Sequence, residues 1–296
     1  MSLDEFIQRH RLPDAFVESA ERCYLPCADW LHERVSKHVA DGITSAYVLG
    51  INGAQGTGKS TLAELLAEML HEQHGYRVVV LSIDDIYKTK AEREAMASAV
   101  HPMFATRGVP GTHDVDLGVQ AIDALHALGA GETCRVPRFD KSEDDRFAEE
   151  QWTEVEGPVD IIILEGWCVG SVAVDADELS EPVNALEAEH DPDATWRRVV
   201  NLALATEYRR LFALFDSLLL LRAPDFDCVY RWRLEQEHKL RDKAGDASGV
   251  MSDDEVATFI QHYERITRDN LARLPGRASA LIELAEDHSA TSFKAR

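Results

Sequence analysis

Residues 53 to 60 read Gly53-Ala54-Gln55-Gly56-Thr57-Gly58-Lys59-Ser60, with Thr61 next. Glycines here free the backbone for positive φ, so that successive N–H groups can converge on phosphate oxygens. A helix starting at the lysine would add partial positive charge at the same place. Lys59 is expected to bridge the β and γ oxygens of a nucleoside triphosphate, and the Ser60 hydroxyl to ligate Mg²⁺. A nucleoside triphosphate and Mg²⁺ are therefore expected here, held by residues 53 to 61. An Asn-Lys-x-Asp segment for reading guanine begins at none of Asn52, Asn184, Asn201 or Asn270, which weakens a GTPase reading.

Two further places put carboxylates at the ends of apolar runs. Arg77 to Ile83 leads into Asp84-Asp85, and Ile161 to Leu164 leads into Glu165. In an open parallel sheet these ends line the edge where ligands bind. A transferred phosphoryl group needs an acceptor hydroxyl held in line and a carboxylate to orient it and take its proton, a role that falls to Asp84. Asp85 is expected to orient Asp84 or lie near the metal, and Glu165 to hold Mg²⁺ directly or through water.

The elements needed to position these groups are legible in the spacing of apolar residues. The first 45 residues read as helices: Pro13 starts one, and Trp30, Leu31, Val35 and Val39 share a face of another that Asp41-Gly42 stops. Ala46 to Ile51 reads as a strand, and Leu62, Leu65, Leu66, Met69 and Leu70 as the buried stripe of a helix after the glycine-rich turn. Further strands are predicted at Arg77 to Ile83, Cys134 to Pro137, Asp160 to Leu164 and Ser217 to Leu221. The alternation with helices points to an α/β fold, a doubly wound, mostly parallel sheet flanked by helices, with N-terminal helices and a helical insertion. Trp196 to Phe215 reads as helical. Ser252-Asp-Asp-Glu255 is a capping box, after which the chain is expected to end in helices. Glu187 to Asp193 reads as a solvated loop. The organisation predicted is a single domain over 1–296, with an N-terminal helical extension (1–45), a core (46–270) and a C-terminal helical tail (271–296).

The 296 residues carry a net charge of −22, which works against nonspecific binding of nucleic acid or anionic lipid, so anionic ligands must be held by local cations. No apolar run approaches the ~20 residues that span a bilayer. Asp4 and Glu5 stand where a secretory signal would be basic. The five cysteines, Cys23, Cys27, Cys134, Cys168 and Cys228, form no paired C-x-x-C pattern and read as buried thiols in a reducing cytoplasm. Nothing in the sequence fixes an oligomeric state.

Ser82-Ile-Asp84-Asp85-Ile-Tyr87 and Leu164-Glu165-Gly166 resemble the P-loop small-molecule kinases that include uridine kinase, phosphoribulokinase and pantothenate kinase. Four longer segments are similar to D-glycerate 3-kinases of the plant and fungal type and their bacterial relatives: 101–114, 139–146, 165–170 and 232–237. The resemblance covers about Tyr47 to Thr267. It implies a P-loop NTPase-type fold and ATP-dependent phosphorylation of the 3-hydroxyl of D-glycerate, with Asp84 at the acceptor-activating position and Glu165 at the metal; Lys59, Asp84 and Asp85 are the residues expected to carry catalysis.

Arg107, His113, Lys141 and Arg146 lie in two loops expected beside the sheet edge, where a carboxylate substrate would find donors. Asp114, Asp140, Asp144 and Asp145 could equally bind hydroxyls, leaving nucleoside, sugar-acid or pantothenate acceptors open. A nucleotide-sensing regulator or partner-stimulated ATPase is the alternative of another class. Kinases of this group close a basic lid, and Arg231, Arg233 and Arg241 are the candidates; i, i+4 pairs such as Glu237 with Arg241 would make the same helix merely solvated. Asp225, Phe226 and Trp232 read as packing or capping residues, and His113 alone among the histidines is given a functional role.

Overall fold

The structure, a computed structural model, describes residues 3–244 and 251–296. The chain opens with three helices, α1 (Leu3–His10), α2 (Phe16–Ser19) and α3 (Leu25–Ala40), the last two joined by a π-helical turn over Ala20–Tyr24. Strand β1 (Tyr47–Gly53) then enters the interior and is buried throughout. The glycine-rich turn follows, then α4 (Lys59–His74), β2 (Val78–Ser82), α5 (Lys90–Ala99) and α6 (Val115–Ala127). Next come the short strands β3 (Thr133–Val136), β4 (Phe139–Asp140), β5 (Asp145–Arg146) and β6 (Thr153–Glu156), and then β7 (Ile161–Gly166). Helices α7 (Ala185–His190), α8 (Thr195–Ala205) and α9 (Glu207–Phe212) lead to β8 (Ser217–Arg222). Helices α10 (Phe226–Ala244) and α11 (Asp253–Arg273) and strands β9 (Ala280–Leu284) and β10 (Ala290–Ala295) complete the chain.

Six strands form the central sheet in the order β10-β9-β8-β1-β7-β2, with every neighbouring pair parallel except β9 and β10. β1 and β7 are continuous apolar runs because helices cover both faces, and each fully buried Ile or Leu in them contributes about 1.5–3 kcal/mol. Their register positions the chemistry. Ile51 lies opposite Glu165, and Glu165 opposite Ser82, so the start of the glycine-rich turn, the Glu165 carboxylate and the segment leading to Asp84 emerge side by side. A Cβ on Gly166 would come within 2.3 Å of Ile83 Cγ2, so glycine is what lets the end of β7 approach the turn after β2 this closely.

The α/β, mostly parallel architecture expected from the sequence is present, with three differences of detail. The predicted helical tail over 271–296 is instead the last turn of α11 followed by β9 and β10. Ala280, Ile282 and Leu284 are buried and alternate with half-buried Leu281 and Glu283, a two-residue period that suits an added strand beside β8. The run near Cys134 is not in the main sheet: β3 pairs antiparallel with β6, and its exposed Thr133 and Arg135 suit a solvated ribbon. Trp196 to Phe215 is helical as expected, in two pieces, α8 and α9, that meet at Thr206.

The acidic stretch 187–193 is not a solvated loop. Glu187 and Asp191 are buried because each meets an arginine: Arg265, far along the chain, is bidentate on Glu187, and the guanidinium of the nearby Arg197, itself buried, lies 3.0 Å from Asp191. Asp191 also accepts the N–H groups of Trp196 and Arg197 at the start of α8. Among the described residues all five cysteines are free thiols, and no helix is long and apolar enough to cross a membrane.

Removing one member of a buried ion pair strands the other. Asp191→Ala is therefore expected to cost about 3–5 kcal/mol, read as a lower midpoint in equilibrium urea unfolding; unchanged stability would mean the pair is not buried in solution.

Candidate active site

The sheet edge opens on a cleft of ≈ 810 Å³ lined by Gln55, Lys59, Asp84, Arg107, Lys141 and Arg233, among others. Gly56 and Gly58, at φ 81° and 80°, turn the backbone into α4, and a Cβ on Gly56 would sit 2.7 Å from the Trp232 Cβ. The loop is anchored from within: the Thr57 hydroxyl donates to Ala54 O at 2.8 Å, and Asn52 Nδ2 donates to the Trp167 and Val169 carbonyls after β7. Gly53, Ala54, Gln55, Gly56, Thr57 and Gly58 thus form a cradle that opens at Lys59, Ser60 and Thr61 on the first turn of α4.

Ser60 Oγ donates to Glu165 Oε1 at 2.9 Å, and Lys59 Nζ lies 4.0 Å from Oε2. That second oxygen is buried with no hydrogen-bond partner. A nearly buried carboxylate with an unsatisfied oxygen beside a hydroxyl is a donor set that fits a hard divalent cation.

Asp84 is engaged on both oxygens: the Tyr87 hydroxyl donates to Oδ1 at 2.9 Å and Lys141 Nζ to Oδ2 at 2.6 Å. Burial pushes this carboxyl up, but Lys141, by charge and hydrogen bond, and Lys59 outweigh it and bring it below its ordinary value, so Asp84 is ionised at neutral pH. Tyr87 is held flat against His113, ring centroids 4.4 Å apart. His113 Nδ1 lies 2.5 Å from the hydroxyl of Tyr208, which accepts the Gly111 N–H and so is free to donate to the ring. Burial pushes the His113 pKa down to about 3, which keeps the ring neutral.

Several predicted residues stand elsewhere than expected. His113 is fully buried and does not line the cleft; it backs Tyr87, which in turn bonds Asp84. Asp85 does not line the cleft and binds Arg138 Nη1 at 2.9 Å and the Phe139 N–H at 3.3 Å. Burial raises its carboxyl pKa, only partly offset by Arg138. Arg146 binds Tyr87 O and Asp114 and does not line the cleft, so it braces the loop. Of the lid candidates, Arg233 lines the cleft and pairs with Glu237 at 2.5 Å, Arg231 pairs with Glu286, and Arg241 pairs with Asp253. Arg107 faces the cleft, pairs with Asp144 and lies over the Phe139 ring.

The brace the sequence reading missed is Arg93. Fully buried, it donates to Ala105 O and Asp144 O and pairs with Asp144 Oδ2 at 3.0 Å. Its setting in Lys90-Ala-Glu-Arg-Glu looks like an ordinary solvated helix, so no local signal marks it. A second cavity, ≈ 200 Å³, lies across the cradle among Leu12, Phe16, Tyr24, Gly58, Thr61 and His288. His288 Nδ1 sits 3.1 Å from Gly56 O, and its ring stacks on Trp232.

The sequence profile described as "Methylmalonyl Co-A mutase-associated GTPase MeaB" matches residues 16–90, the segment holding the cradle and β2. Over 225 residues the chain is 38% identical to the uncharacterized kinase mug58 of Schizosaccharomyces pombe, covering 73% of this chain and 78% of that protein. Over 252 residues it is 32% identical to the chloroplastic D-glycerate 3-kinase of Arabidopsis thaliana, covering 81% of this chain and 52% of the plant protein. The solved D-glycerate 3-kinase of Cryptococcus neoformans var. grubii superposes with a TM-score of 0.78 at 24% identity, over 92% of this chain and 99% of that one, which is a likeness of fold.

The arm 138–146 hangs on Asp85, so Asp85→Ala is expected to release it. Trypsin should then cut after Arg138 or Lys141 about five- to tenfold faster while the rest of the chain resists; an unchanged rate would show that Asp85 does not anchor the arm.

Proposed function

Because the chain belongs to the family of P-loop kinases that includes D-glycerate 3-kinase, and is an ATP-dependent small-molecule kinase, we propose that it transfers the γ-phosphoryl group of Mg²⁺–ATP to the 3-hydroxyl of D-glycerate. The observation that carries the reading is the convergence of Lys59, Asp84, Arg107 and Lys141 on one cleft: a phosphate-facing lysine, an ionised carboxylate and two cations suited to an acidic acceptor.

In this reading residues 53 to 61 cradle the triphosphate with backbone N–H groups, and Lys59 spans the β and γ oxygens. Ser60 and Glu165 hold Mg²⁺, which when bound neutralises charge on the phosphate oxygens. The cavity beside Thr61 and Phe16 takes the nucleotide base, and Arg233 approaches the phosphates from α10. Arg107 and Lys141 receive the glycerate carboxylate.

Asp84 Oδ2 accepts a hydrogen bond from the acceptor hydroxyl and takes its proton as the hydroxyl oxygen bonds to the γ-phosphorus. The bond from that phosphorus to the bridging oxygen breaks, ADP carries the electron pair away, and the proton passes from Asp84 to solvent. An aspartate made less basic by its lysine suits a loose transition state, in which proton transfer is late and positioning supplies most of the rate. His113 and Tyr208 act through Tyr87 by fixing the carboxylate's direction, and Asp85, Arg93 and Arg146 by fixing the arms that carry Lys141 and Arg107. The five free cysteines support a reducing compartment, and we assign the protein to the cytoplasm.

ADP release in the presence of D-glycerate, uridine, pantothenate or no acceptor tests the proposal. A response to D-glycerate with 3-phosphoglycerate as product supports it; a response to another acceptor alone, or ADP release independent of all of them, overturns it. Asp84→Asn is expected to lower kcat about 10²–10⁴-fold with the ATP KM within about twofold of the parent. Glu165→Gln is expected to move half-saturation with Mg²⁺ upward by about tenfold or more in a metal titration.

A further inference from the structure

The carboxylate of Asp84 has no unengaged oxygen. Tyr87 holds Oδ1 and is itself buried and clamped by His113, whereas the partner on Oδ2, Lys141, has 61% of its side chain exposed. The backbone beneath Lys141 is tied down on both sides. Asp85 binds Arg138 and the Phe139 N–H; Arg93 and Arg107 bind Asp144; Arg146 binds Tyr87 O. What can move is the lysine stem, a flexible chain ending in an ammonium with three rotatable donors. Its carbonyl lies 3.5 Å from Arg107 Nη2, so a second cation stands beside the base of that stem, and both side chains line the cleft.

An acceptor hydroxyl must reach Oδ2, because Oδ1 belongs to Tyr87. Lifting the ammonium away with nothing in its place would leave the Asp84 carboxylate without its cation in a partly buried site, an unfavourable exchange. An acceptor that brings its own carboxylate changes the balance. The ammonium exchanges one carboxylate for another beside Arg107, and Asp84 receives the acceptor's O–H in return.

We propose that Lys141 is a specificity-determining residue that keeps Asp84 occupied until an anionic acceptor draws it away, so that neutral polyols are rejected at the chemical step and not only in binding. The inference rests on the kinase reading above and goes beyond it: a lysine that merely bound a carboxylate would raise affinity for acids and leave the turnover of neutral alcohols untouched. The reaction itself is unchanged, with the hydroxyl proton passing to Oδ2, the oxygen bonding to the γ-phosphorus and ADP leaving.

The test compares D-glycerate with glycerol, which keeps the hydroxyls and lacks the carboxylate, in the parent chain and in Lys141→Met. The parent is expected to phosphorylate glycerol slowly even at saturation. In Lys141→Met the KM for D-glycerate should rise while kcat for glycerol also rises, by about fivefold or more, the scale of one partly exposed ion pair. Lys141→Arg, which keeps the cation, should leave glycerol as slow as in the parent. Glycerol kcat unchanged or lowered in Lys141→Met overturns the proposal, as does a parent enzyme that turns over both acceptors equally, and either result leaves the kinase reading standing. A parent active only on uridine removes that reading and this proposal with it. Should Lys141→Met fail to fold, as read by circular dichroism, Lys141→Gln makes the same comparison.

Discussion

Parallel registration of β1, β7 and β2 is the constraint on which the rest of the site depends. Neighbouring parallel strands end at the same edge, so three segments far apart in sequence deliver their next residues to one place. Ile51, Glu165 and Ser82 stand in one row across that sheet. A one-residue slip of β7 would turn Glu165 to the opposite face and separate it from Ser60. Continuous burial of β1 and β7 makes such a slip costly, because the whole apolar run would have to repack.

Charge at the cleft follows one pattern. The protein is strongly acidic overall, and its cleft cations are already paired: Lys59 lies by Glu165, Lys141 by Asp84, Arg107 by Asp144 and Arg233 by Glu237. An anionic ligand entering this cleft exchanges partners with resident carboxylates instead of meeting bare positive charge. Such exchange trades affinity for discrimination, because a ligand that cannot supply equivalent charge leaves the internal pairs intact.

The cradle, the strand-end carboxylates and the layered α/β architecture were legible because each depends on local sequence: a glycine-rich octet, an apolar run ending in acid, a helical stripe after a turn. Pairings between distant segments were not. Glu187 looks like part of a solvated run until Arg265 arrives from elsewhere in the fold. Arg93 lies in a polar helix and is buried by a loop some fifty residues on. His113 carried a substrate-binding expectation because its loop was expected beside the sheet edge, but the stack with Tyr87 and the bond to Tyr208 turn it inward. The last two strands escaped notice because their alternation is short and follows a long helix.

The end of the chain bears on how the whole molecule behaves. β10 is an outer strand, and the N-terminal helical segment lies against it: Ser19 Oγ accepts the Ala290 N–H, the Trp30 ring meets Phe293, and Arg34 donates to the carbonyl of Arg296. Residues 19 to 34 therefore act as a sheath over a sheet border. A chain lacking that segment would bare the border and invite strand-to-strand aggregation between molecules, however sound its phosphate cradle.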